Sequence, residues 1–91
     1  MKQIVWTDYF KYRAKLRGFN LSNVEEILRY SNERYYDTAT GRVVVIGKDT
    51  NLMVMIPYET AGNDILTPIT IHSTTRQQIN YRIKSGRFKN E

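Results

Sequence analysis

The chain of 91 residues carries 14 Lys and Arg against 9 Asp and Glu, a formal net charge of +5, with 41% hydrophobic residues, one histidine and no cysteine. At this length a second core could not be filled, so a single domain over residues 1–91 is expected. Zero cysteines exclude disulfide scaffolds, thiol nucleophiles, iron–sulfur clusters and cysteine-bearing zinc motifs, and a lone histidine removes most other metal sites, so no metal and no cofactor is expected.

The start, Met1 to Asp8, reaches a carboxylate before any apolar stretch develops, which does not read as a signal peptide. Ile4, Val5 and Trp6 form a short β-prone opening, and Thr7 and Asp8 suit a helix N-cap because their side chains can accept from backbone N–H groups that lack a helical partner. Over residues 9–17 the spacing of Tyr9, Tyr12 and Leu16 predicts one helical face, and Gly18 ends the helix after a basic last turn. Ser22 and Glu25 form a capping box that opens a second helix with Val24, Ile27 and Leu28 on its buried stripe, ending near Tyr30 or Ser31.

Residues 34–37 then read as a strand and 38–41 as its turn. Residues 42–46 and 52–58 are apolar runs either side of a polar turn over 47–51, which predicts a hairpin covered on both faces, with Pro57 near a strand end where its missing donor matters least. A loop over residues 59–64 precedes an alternating strand over 67–72, with Ile69 and Ile71 facing one way and Thr70 and His72 the other. A second capping box over residues 74–77 opens a last helix that repeats Ile79 and Ile83 before Ser85 and Gly86 stop it. The order β-α-α-β-β-β-β-α is that of an α+β domain with a mostly antiparallel sheet, two N-terminal helices and one C-terminal helix, since the central connections are too short for parallel crossovers. The longest apolar run, residues 52–57, falls far short of the roughly 20 residues that span a bilayer, so the expectation is a soluble cytoplasmic protein with no membrane partner.

The charge is concentrated at the two ends. Lys2, Lys11, Arg13, Lys15 and Arg17 stand against Asp8 at the start, and Arg76, Arg82, Lys84, Arg87 and Lys89 against Glu91 at the finish, while the middle is net acidic. Two basic helices that a fold could bring together suggest a polyanionic partner, with Lys11, Arg13, Lys15, Arg17, Arg82, Lys84 and Arg87 as its phosphate contacts. A DNA-reading helix-turn-helix is rejected, because the second helix would present Glu25 and Glu26 to phosphates. The glycines are isolated and form no phosphate-cradling loop, and no serine sits in an elbow turn. His72 is the only side chain whose ordinary pKa lies near neutrality, and it sits close in sequence to Arg76 and Tyr81.

The valine–tryptophan opening onto a basic helix, Arg17-Gly18 before a Glu-Glu helix, the stretch from Gly41 through Arg42 to Gly47, Leu52-Met53-Val54, and Ile69-Thr70-Ile71-His72 running into Thr74-Thr75-Arg76 together resemble the RelE/ParE toxin superfamily, and more closely its BrnT-like branch. The likeness covers nearly the whole chain. It implies a ribonuclease toxin of a bacterial type II toxin–antitoxin pair, cutting messenger RNA without metal, free or on the ribosome, and silenced by a cognate antitoxin protein. Where the branch carries Ser-Ala-Arg after its last strand, this chain has His72-Ser73-Thr74, and Gln77 and Gln78 stand in place of acid, so the catalytic assignment becomes His72 as acid or base, Arg76 and Arg42 on the phosphate, and Tyr81 as a further proton donor or stacker.

Two other classes stay open on the same residues. One is a non-catalytic RNA- or ribosome-binding module of the same fold, and the other is a protein-interaction module whose basic helices engage an acidic segment. The apolar central strands permit a homodimer and equally permit coverage by the last helix.

Overall fold

The computed structural model describes residues 2–62 and 64–91; Met1 and Asn63, the latter within the expected loop over 59–64, lie outside the described residues. The elements run β1 (Gln3–Ile4), α1 (Asp8–Leu16), α2 (Leu21–Tyr30), β2 (Arg34–Asp37), β3 (Arg42–Asp49), β4 (Leu52–Ala61), β5 (Ile65–Pro68), β6 (His72–Ser73), α3 (Arg76–Lys84) and β7 (Phe88–Asn90). This is an α+β fold with the expected order of helices and strands. The sheet runs β1-β5-β4-β3-β2-β7, with β6 paired to β4 beyond the end of β5. All pairings are antiparallel except β1 with β5.

The β3–β4 hairpin is the spine, and its side chains alternate between two cores. Val45, Val54, Ile56 and Tyr58 point to one face, where Phe10 and Ala14 of α1 and Val24, Ile27 and Leu28 of α2 cover them. Val44, Ile46 and Met55 point to the other, where Ile79 of α3 and Phe88 of β7 close over them. The last helix thus covers the second apolar face. Gly47 marks the closest approach of α2 to the sheet, since a Cβ there would lie 2.6 Å from Ile27 Cγ2. Among the described residues no helix is long and apolar enough to cross a membrane.

Several local expectations need correction. Tyr9, Tyr12 and Leu16 face solvent, 57%, 62% and 66% exposed, because α1 buries the Phe10/Ala14 stripe on the adjoining face. The N-cap of α2 is Asn20, whose Oδ1 accepts from the N–H groups of Ser22 and Asn23, so the helix begins two residues earlier than a Ser22 capping box implies. On α3 the cap is Thr75, accepting from Gln78 N–H. Ile79 is fully buried, but Ile83 is 39% exposed. The β3–β4 turn is only Thr50 and Asn51, with Thr50 at φ 60°.

Strand β4 continues to Ala61, which leaves Pro57 in its interior. There it falls between the stretch paired with β6 (Val54–Met55) and that paired with β5 (from Tyr58), so its missing N–H interrupts no ladder. The expected strand over 67–72 is broken into β5 and β6, with Ile71 between them dropping into the helix-side core. Strand β7 was not foreseen.

Candidate phosphate-binding site around His72

Thr7 caps α1 through its hydroxyl, which accepts from Phe10 N–H at 3.0 Å, and burial of Phe10 and Ala14 then fixes the rotation of the helix. That rotation decides where the cations go. Arg13 and Arg17, one turn apart, lie on the flank that meets the sheet edge, whereas Lys11 and Lys15 are two residues out of step and hence ~200° round the helix. Lys11 and Lys15 line a separate hollow with Gly18, Phe19 and Asn20, and Lys11 lies 3.6 Å from Asp8. The basic run of α1 therefore splits into two faces.

Strand β6 carries His72 opposite Met55 of β4, so both side chains leave the same face of the sheet. From α1, Arg17 Nη1 donates to His72 Nδ1 at 3.1 Å and also to the Ile71 carbonyl. From α3, Arg82 Nη1 lies 3.6 Å from the sulfur of Met55, the cross-strand neighbour of His72, while its guanidinium stacks over Phe88 at 5.7 Å. Burial, followed by the charges of Arg17, Arg13 and Arg82, pushes the His72 imidazole below its ordinary pKa. Cations from the two termini thus converge on one imidazole. A shallow hollow lined by Arg17, Phe19, Leu52, His72 and Ser73 opens beside it.

Among the described residues, no carboxylate lies within ion-pair distance of Arg13, Arg17, Lys15, Arg82 or Lys84. Arg13 stacks over Tyr9 at 5.7 Å, and its Nε is buried with no hydrogen-bond partner.

The other assigned residues are placed elsewhere. Arg76 is held by Glu33 in a two-pronged ion pair, with Nη1–Oε2 at 2.5 Å and Nη2–Oε1 at 2.8 Å. Arg42 stands four residues along β3 from Ile46, which pairs with Met55, so it is about 13 Å along the sheet from the level of His72 at ~3.3 Å per residue. Its Nε lies 3.9 Å from Glu59. Arg87 grips the buried Asp37 with two hydrogen bonds of 3.0 Å. Tyr81, 71% exposed, lines a hollow on α3 with Gln77, Gln78, Arg82, Ser85 and Arg87, and Lys84 is exposed on the same helix. Tyr58 is buried, its hydroxyl accepting from Arg34 Nη1 at 3.1 Å.

His72 is thus in contact with Arg17 and within the field of Arg13 and Arg82, whereas Arg76 is turned to Glu33 and Arg42 lies along the sheet near Glu59. Sequence proximity favoured Arg76 for the site, but its guanidinium turns to Glu33, a residue 43 positions away that no spacing rule connects to it. Arg13 and Arg17 stand at i,i+4 in the sequence, but so do Lys11 and Lys15, and only the burial of Phe10 and Ala14 decides which face meets the sheet. No family model matches the chain, and neither a curated protein nor a solved structure matches it significantly.

Proposed function

We propose that this chain is a ribonuclease toxin of a type II toxin–antitoxin pair, acting on messenger RNA without a metal ion and gripping the ribose-phosphate backbone at the three arginines around His72. The observation that carries this reading is the convergence of Arg13 and Arg17, near one terminus, and Arg82, near the other, on a single imidazole. Three guanidiniums with no carboxylate partner offer charge-assisted hydrogen bonds to phosphate oxygens. The exposed Tyr9 and Tyr12 alongside offer faces on which unpaired bases can stack.

Cleavage without metal needs three things of such a site. The ribose 2′-hydroxyl gives its proton to His72 as its oxygen bonds to phosphorus; the guanidiniums offset the charge of the five-coordinate phosphorus; and the P–O5′ bond breaks as the leaving oxygen takes a proton from water. A neutral imidazole at pH 7, which the lowered pKa favours, is the form that accepts the first proton. Arg76 and Arg87, each held by two hydrogen bonds to a carboxylate, support the fold around this centre.

A second reading, an RNA- or ribosome-binding module without cleavage, is favoured by one observation: Arg17 occupies the Nδ1 lone pair that would take the proton. One experiment separates the two. Purified protein is incubated with messenger RNA in chelator, and fragments are read alongside filter binding, for the wild type and for His72→Ala. Cleavage lost in His72→Ala supports the toxin, as does growth arrest on expression that a neighbouring small gene product relieves. Binding without cleavage by the wild type selects the second reading, and absence of both overturns the two together.

A further inference from the structure

The contact between Arg17 and His72 constrains more than position. An arginine side chain has five donors and no acceptor, so a hydrogen bond from Arg17 Nη1 to Nδ1 requires that nitrogen to be unprotonated. A neutral ring must then carry its proton on Nε2. In the free protein the lone pair on Nδ1 is covered, and the imidazole presents only a weakly acidic N–H.

We propose that Arg17 is a positioning residue that keeps His72 covered until a phosphodiester docks, and that the docked phosphate draws the guanidinium off Nδ1, so that the lone pair is uncovered and the imidazole's affinity for a proton rises. This rests on the reading of the His72 face as a phosphate site, though it needs only the phosphodiester and not a whole RNA.

The competition favours the phosphate. The guanidinium's present acceptors are an uncharged ring nitrogen and the Ile71 carbonyl, while a phosphate oxygen carries the opposite charge and can be bound by two parallel N–H groups at once. Arg17 is exposed and caps the C-terminus of α1, so its side chain can swing outward without disturbing the core. The groups facing His72 all push one way before the anion arrives: Arg13 and Arg17 from α1, Arg82 from α3, and from β4 the uncharged Met55. A bound monoanion adds negative charge among three guanidiniums and so raises the imidazole's affinity for a proton.

The chain's single histidine makes the test direct, because every imidazole resonance belongs to His72. Two-bond 1H–15N correlations on the full chain report which ring nitrogen carries the proton. They also report the titration midpoint in sodium chloride, in dimethyl phosphate of equal ionic strength, and with a 2′-O-methyl oligoribonucleotide that cannot be cleaved. The free protein is expected to show the Nε2–H form, and either phosphodiester to raise the midpoint by about one pH unit. Arg17→Gln, which changes only an exposed side chain, is expected to start from the raised midpoint and to respond less to either ligand.

A free protein in the Nδ1–H form overturns the inference, as does a midpoint that neither ligand moves. RNA that binds, by anisotropy, without moving the midpoint overturns the inference alone. A midpoint moved by dimethyl phosphate in a protein that binds no RNA overturns the RNA reading and leaves the inference standing.

Discussion

Arg76, in the first turn of α3, and Glu33, immediately before β2, close a two-pronged ion pair, and Tyr35 completes it by donating its hydroxyl to the same Glu33 oxygen at 2.7 Å. The Arg76 hydrogen bonds, opposed by burial and helped by the Tyr35 hydroxyl and the Arg76 charge, hold the Glu33 carboxyl below its usual range. The pair pins the start of α3 to the sheet, so Arg76 acts on the fold before it acts on any ligand.

Arg76→Ala should therefore lower the unfolding free energy read from urea titrations by about 0.5–1 kcal/mol for a partly exposed pair, and leave RNA affinity nearly unchanged. Arg17→Ala should do the reverse, with affinity falling about tenfold for one lost charge-assisted contact. An affinity loss in Arg76→Ala equal to that in Arg17→Ala would return Arg76 to the site.

A second ion pair ties the far edge of the sheet. Asp37 is 3% exposed and accepts from Arg87 at both oxygens and from Ala39 N–H at 2.9 Å, so it holds the β2–β3 turn and the chain leading into β7 at once. Asp37→Ala leaves the Arg87 cation without its partner and the turn without its acceptor, and should cost about 2–3 kcal/mol. Arg87→Ala in the same background should then cost little further. Additive losses in the double-mutant cycle would show that the two residues act independently.

The outline of the fold was legible where one rule acts alone. Thr7 and Gly18 bracket α1 as read, and the β-branched run over 42–46 is the central strand. Reading failed where two rules competed. Tyr9, Tyr12 and Leu16 have helical spacing, but so do Phe10 and Ala14, and only the packing of the helix-side core selects the latter pair. At the site, His72 and the arginines were identifiable as chemistry-bearing residues. Their grouping depended on Glu33 and Asp37 engaging Arg76 and Arg87 across 43 and 50 positions, which no local pattern encodes.

Gly47 is required by contact rather than by backbone conformation. A methyl group there would meet two Ile27 carbons at 2.6 and 2.7 Å, below the reach of ordinary van der Waals contact. Gly47→Ala should destabilise the fold by about 1–3 kcal/mol through overpacking. Adding Ile27→Ala should make the second change cost much less than Ile27→Ala does in the wild type. Independent losses in thermal melts would mean that α2 shifts as a body to make room.

Acid should weaken the fold in two windows. The His72 imidazole, held below its ordinary 6.5 by burial and by Arg17, Arg13 and Arg82, stays neutral when folded at pH values where the unfolded chain has already bound a proton. Its contribution is complete above 6.5 and is lost as pH falls through the folded value. Glu33 acts in the same direction below 4.5, and so does Asp37 below 3.8, where burial opposes ionisation but the Arg87 hydrogen bonds and the Ala39 N–H outweigh it. Urea midpoints measured across the acid range should fall in both windows, and Arg17→Gln should shrink the upper fall while leaving the lower. Identical curves for the two proteins would remove Arg17 from the electrostatics of His72.

Salt dependence tests the geometry of the RNA face most directly. Each phosphate neutralised on a single strand releases counterions and adds about 0.7 to the slope of log K against log salt. Arg13→Ala, Arg17→Ala and Arg82→Ala should each lower that slope by roughly this amount, because the charges of all three reach one imidazole and, among the described residues, no carboxylate pairs with them. Arg42→Ala should leave the slope unchanged, since that residue lies about 13 Å along the sheet beside Glu59. Anisotropy titrations of a labelled single strand give the four slopes in one series. A fall with Arg42→Ala as large as with Arg82→Ala would mean that the strand runs along β3 and not between α1 and α3.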